Sequence, residues 1–115
     1  MHELSIAMSI LQVAQEEAEQ RRVKVSAVHI KVGALSGVVA DTLVASYEMA
    51  VDQTPLAGSK LVVEEIPVLI RCPKCASEKP ISSLQWFCCA DCGSPASEIA
   101  QGKELQVVAL EVSNE

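Results

Sequence analysis

The apolar positions of this chain change their spacing from segment to segment, and each change marks an element. From Leu4 to about Arg22 the residues Leu4, Ala7, Met8, Leu11, Ala14 and Ala18 recur at three and four. Gln12, Gln15, Glu16 and Glu19 lie on the other side, which predicts an amphipathic helix. Its last turn is Gln20-Arg21-Arg22, where cations suit the negative end of the helix dipole. Val28, Ile30, Val32 and Ala34 then alternate with His29, Lys31 and Gly33, the period of a strand with one buried face. Val23 and Val25 have the opposite parity, so this strand, roughly 24–34, is expected to bulge near Ser26. Ser36-Gly37 makes a turn into a second helix with Leu43, Tyr47, Ala50 and Val51 on one face, ending before Thr54-Pro55. Lys60 to Ile70 reads as a second strand, and Pro67 inside it calls for a sheet edge or a strand end. Glu104 to Val112 is a third.

That last strand follows a cysteine-rich segment too small to supply a sheet of its own, so residues 104–112 are expected to return to the first two strands. The predicted fold is of the α+β or α/β type: two helices packed on a small three-stranded mixed sheet, with the cysteine module inserted. The expected domains are 1–69 plus 96–115 for the α/β body and 70–95 for the module. Gly93-Ser94-Pro95-Ala96-Ser97 reads as the linker out of it.

With 115 residues, half of them apolar, the chain suits a small body and not a large multidomain enzyme. Fifteen acidic against nine basic residues give a net charge of −6, and with three aromatic residues this argues against nucleic-acid binding. No apolar run approaches the ~18 residues of a membrane helix. The start, Met1-His2-Glu3-Leu4, lacks the features of a secretory signal, so a cytoplasmic protein is expected. No nucleophile and base pair, phosphate loop or open catalytic metal site is present, which points to a binding protein and not an enzyme.

All five cysteines fall between positions 72 and 92. Cys72-Pro73-Lys74-Cys75 and Cys89-Ala90-Asp91-Cys92 form two CxxC turns separated by a stretch long enough for a small hairpin, a spacing that brings four thiolates into a tetrahedron suited to Zn(II). Cys72, Cys75, Cys89 and Cys92 are therefore the predicted zinc ligands, with rubredoxin-like iron as the other metal such a set accepts. Four thiolates leave no open position, so the metal is structural. Gly93 suits a turn with positive φ. Ile81, Leu84, Trp86 and Phe87 are the candidate core of the module, and Trp86 and Phe87 the residues expected to cover the site. Cys88 reads as a spare buried thiol; the alternative is a redox switch with one of the ligands.

The N-terminus offers a second metal site. The Met1 α-amine, the His2 amide nitrogen and the His2 imidazole can close adjacent chelate rings, and the Glu3 amide or carboxylate can complete a near-planar set suited to Ni(II) or Cu(II). The amine and imidazole must lose protons to bind, so such a site releases its ion as pH falls. His29, beside Lys31 on the outer parity of its strand, reads as an exposed bystander.

The Met1-His2-Glu3 start, the Val32-Gly33-Ala34-Leu35-Ser36-Gly37-Val38 turn and the paired CxxC motifs, in this order, resemble the HypA family of nickel-insertion accessory proteins. The resemblance covers essentially the whole chain. It implies a metallochaperone with a nickel-binding α/β domain and a zinc-ribbon domain. It also implies work with the GTPase HypB, delivery to the large subunit of nickel-iron hydrogenase and, in some relatives, to urease through its maturation factors. Carried over by position, His2 is the essential nickel ligand, with the Met1 amine and Glu3 beside it. Relatives tend to place an acidic residue three positions after the serine equivalent to Ser36. Here that position is Val39, and Asp41 is the acidic group on offer; it is a further nickel candidate or a dipole-favoured residue of the second helix. A monomer or a homodimer is expected. The rival reading is a zinc-ribbon adaptor for protein partners with an inert N-terminus.

Overall fold

The computed structural model describes residues 2–83 and 86–113, without the side chains of Ser82 and Trp86. Helix α1 spans Glu3–Arg21 and ends with Arg22 in the left-handed conformation, its amide donating to the Ala18 carbonyl. Strand β1 (Lys24–Gly33), helix α2 (Ala40–Val51) and strand β2 (Lys60–Ile66) follow. β1 and β2 pair in parallel through the α2 crossover that parallel strands need, and the C-terminal strand β7 (Leu105–Ser113) returns antiparallel to β1. The mixed sheet has the order β2-β1-β7, which puts the strand that runs into Pro67 at an edge, as the proline requires.

The β1–β7 register shifts between Val25 and Ala27, so the bulge falls at Ser26, where the change of parity puts it. A second shift leaves Val108 as the extra residue on β7. The helices cover one face: Ala7, Ile10, Leu11, Ala14, Leu43, Tyr47 and Val51 pack on Val25, Val28, Ile30, Val32 and Leu61. At the centre Tyr47, fully buried, shares a 2.7 Å hydrogen bond with Ser59, and burial pushes its phenol pKa up. The buried stripe of α1 is rotated from the expected one. Leu4 and Met8 are exposed, while Ile10 and the charged Glu3 are inside, because the stripe follows residues 3, 7, 10, 11 and 14.

The expected second strand is two strands in two sheets. Pro67, which has no N–H to give a ladder, ends β2, and the chain enters β3 (Leu69–Cys72) of a second sheet. That sheet continues with β4 (Ser77–Ser83), β5 (Trp86–Cys89) and β6 (Glu98–Gln101), in the order β5-β4-β3-β6. Residues 93–97 are not a free linker. Ser94 O accepts from the Cys89 amide, Pro95 bridges Cys88, and the amides of Ala96 and Ser97 donate to Phe87 and Arg71. The ribbon extends the molecule to 54 × 26 × 15 Å, with a radius of gyration of 17.5 Å. A spherical domain of this length has about 13 Å.

The two parts are clasped at the β1–α2 turn. The Gly33 amide donates to Glu104 O, the Ala34 amide to Ile66 O and the Leu35 amide to Gly102 O, so the β1–α2 turn is stitched to both chains leading to the ribbon. Leu35 then packs into the ribbon's small core of Val68, Ile70, Cys72 and Cys89. Cys75, Ile81, Ala96 and Ile99 complete that cluster. Phe87, expected in it, is half-buried outside it, and Leu84 and the Trp86 side chain lie outside the described residues.

Candidate metal centres

Cys72 closes β3 and Cys89 closes β5, both buried, while Cys75 and Cys92 stand in the turns that follow, nearer solvent. The two turns are built alike: each CxxC is followed by a left-handed residue, Ala76 (φ 55°) and Gly93 (φ 75°). The Cys75 amide donates to Cys72 Sγ at 3.3 Å, and Lys79 Nζ meets Asp91 at 2.9 Å, tying β4 to the second turn. Asp91 raises the lysine's pKa. The β4–β5 pairing is the hairpin that brings the two turns together.

The four sulfurs all lie within 4.8 Å of one another, with Cys72 to Cys92 at 3.4 Å and Cys75 to Cys89 at 3.9 Å. A tetrahedral zinc thiolate with bonds of about 2.3 Å has sulfur separations of about 3.8 Å, so the donor set fits. The sulfurs perturb one another. Hydrogen bonds from Ser94 and the other sulfurs pull the Cys92 thiol down to about 6, whereas the sulfur neighbours, Cys92 first, push Cys75 up to about 12. Cys88, one residue from the site, is not among the converging sulfurs.

At the other end, His2 is exposed and occupies the N-cap position of α1, its side chain making no capping hydrogen bond. Its carbonyl accepts the first helical bond, from Ile6 at 3.0 Å. Glu3 is only 6% exposed, and its carboxylate accepts from the Val39 amide at 3.2 Å. That hydrogen bond is the chief reason its carboxyl titrates below the usual range. Asp41 is exposed in the first turn of α2, two residues beyond Val39. Met1 lies outside the described residues.

The family model for hydrogenase/urease nickel incorporation metallochaperones, HypA, matches residues 1–112. The chain belongs to the HypA family. Among similar HypA proteins, the hydrogenase maturation factor HypA of Chloroflexus aurantiacus is 46% identical over 112 residues, covering 96% of this chain and 98% of that protein. The hydrogenase maturation factor HypA of Roseiflexus sp. is 37% identical and covers 100% of this chain and 94% of that protein. The fold is shared with the solution structure of the HypA nickel metallochaperone from Helicobacter pylori, at 24% identity and TM-score 0.66, each chain covered fully. A second HypA solution structure aligns at TM-score 0.73 with 24% identity, over 100% of this chain and 98% of that one.

This HypA-family chain thus carries in its ribbon four cysteines placed so that they could hold a metal ion. Its His29, expected to be a bystander, binds across strands: Nε2 lies 2.5 Å from Glu111 on β7. Sequence reasoning missed this pair because β7's register is set by two bulges. It also missed the buried Glu3 to Val39 hydrogen bond, which links residues 36 positions apart. An apolar groove of about 340 Å³ between α1 and β7, lined by Ile6, Ile10, Val13, Leu105 and Val107, contains neither metal site. Among the described residues no helix is long and apolar enough to cross a membrane.

Proposed function

We propose that this chain is a nickel metallochaperone. It captures Ni(II) as cargo through the Met1 amine, the His2 amide and imidazole and the Glu3 position, with Asp41 as the further acidic candidate. It hands the ion on during maturation of nickel-iron hydrogenase. HypB is the partner GTPase, the hydrogenase large subunit the recipient, and urease maturation factors a second outlet. The observation that carries the reading is the placement of His2 in a chain of this family. Its imidazole is exposed and makes no capping bond at the first position before a helix, so an ion held there is open to ligand exchange.

Cys72, Cys75, Cys89 and Cys92 would hold Zn(II), which closes the ribbon and supplies no open coordination position. Packing does the rest: Leu35 of the β1–α2 turn and Ile70 of the ribbon cover the buried pair Cys72 and Cys89.

A calorimetric Ni(II) titration of untagged protein, beside His2→Ala and an N-terminally extended form, tests the proposal. Tight binding of one nickel by the native terminus alone is expected. Equal binding by all three forms would refute it and leave the ribbon adaptor as the better reading.

A further inference from the structure

The Glu3 side chain is a different kind of group from its neighbour His2. It lies on the buried stripe of α1 with Ala7 and Ile10, and it is 6% exposed. A carboxylate that deep needs a donor, and the Val39 amide supplies one at 3.2 Å. Val39 is the N-cap of α2, its carbonyl accepting from Leu43 at 2.9 Å, and a valine side chain makes no capping bond. Glu3 therefore supplies from 36 residues away the side-chain acceptor at the start of α2 that Val39 cannot, and adds its charge to that of Asp41 in the same first turn. Turning the carboxylate out to an ion would take its acceptor from the Val39 N–H and pull a side chain that is 6% exposed out of its packed place.

We infer that the Glu3 carboxylate is a positioning group and not a nickel ligand: by holding Val39 it fixes the start of α1, and the His2 chelate on it, against the first turn of α2. This rests on the nickel reading above. It assigns the fourth donor to a backbone nitrogen or to Asp41, and it ties the site's geometry to the α1–α2 contact.

The test uses the untagged, zinc-loaded chain, Ni(II) alone as the probe, and Glu3→Gln, Glu3→Ala and His2→Ala. A glutamine keeps an acceptor for Val39, so Glu3→Gln should bind nickel within about threefold of the parent with an unchanged ligand-field band. Glu3→Ala should bind about tenfold more weakly, also with an unchanged band. A shifted band in Glu3→Gln, or a loss as large as that of Glu3→Ala, would make the carboxylate a ligand and overturn the inference. Parent affinity in Glu3→Ala would overturn it too. The contact itself is read without nickel from the Val39 amide proton, expected downfield in the parent and upfield in Glu3→Ala; no change would sink it. If His2→Ala alone binds like the parent while Val39 responds, the nickel reading fails and the clamp stands.

Discussion

Gly33 and Gly102 lie against each other so closely that a Cβ on Gly33 would collide with the Gly102 carbonyl and stand 2.6 Å from the Glu104 nitrogen. The obstacles are backbone atoms, which cannot rotate away, and they belong to the hydrogen-bonded clasp between sheet and ribbon. Gly33→Ala should therefore cost at least the ~1–3 kcal/mol of ordinary overpacking. Urea unfolding measures it, and a loss below about 0.5 kcal/mol would mean that the clasp can open without penalty.

Tyr47 and Ser59 share the buried hydroxyl pair beneath α2. Removing one partner leaves the other without water or acceptor, so Tyr47→Phe should destabilise by about 1–3 kcal/mol. Adding Ser59→Ala to it should cost little more, because the stranded hydroxyl is then gone. Denaturant unfolding of the double-mutant cycle reads the coupling; additive losses would show that the two hydroxyls act independently.

Acid should loosen the α1–α2 contact through Glu3. Its folded carboxyl titrates below the usual value of about 4.3, held down first by the Val39 amide. On acidification the unfolded chain takes up this proton first. The contribution is therefore present above about pH 4.3 and is lost as pH falls through the lower folded value. The Val39 amide shift, followed from pH 6 to pH 2 by NMR, should titrate with a midpoint below about 4.3. A midpoint above it would contradict the contact.

The ribbon depends on its metal. Its cluster has few apolar side chains, so a strong chelator should collapse the amide dispersion of residues 69–101 while the helix and sheet signals persist on their own core. Cobalt substitution should give the absorption of a tetrahedral thiolate site, abolished by Cys72→Ser and retained by Cys88→Ser. Loss of the cobalt spectrum in Cys88→Ser would bring that cysteine into the ligand set.

Much of this was legible in the sequence because period and spacing are local. The inward face of α2 follows from its three-and-four spacing and the Ser26 bulge from side-chain parity, and the convergence of four cysteines follows from two CxxC turns. What was not legible depends on distant partners. A period count over apolar residues puts Leu4 and Met8 inside and passes over Glu3, since it cannot see the Val39 amide that makes a buried carboxylate tolerable. Lys60–Ile70 reads as one strand because apolar residues continue past Pro67, though the chain has changed sheets. The Val108 bulge is hidden because Val107 and Val108 are both apolar and either parity fits.

The ribbon is entered through β3 and left through β6, and these two strands are neighbours, with Ile70 opposite Ile99 and Arg71 opposite Glu98. To the helix-bearing sheet the excursion is a loop already closed at its base. Since the entropy of closing a loop grows only slowly with its length, the segment beyond that base can be lengthened, shortened or exchanged without moving β2 or β7. Evolution can therefore revise the ribbon's tip separately from the N-terminal end of the molecule, with Gly33, Leu35 and Gly102 as the positions where the two must still agree.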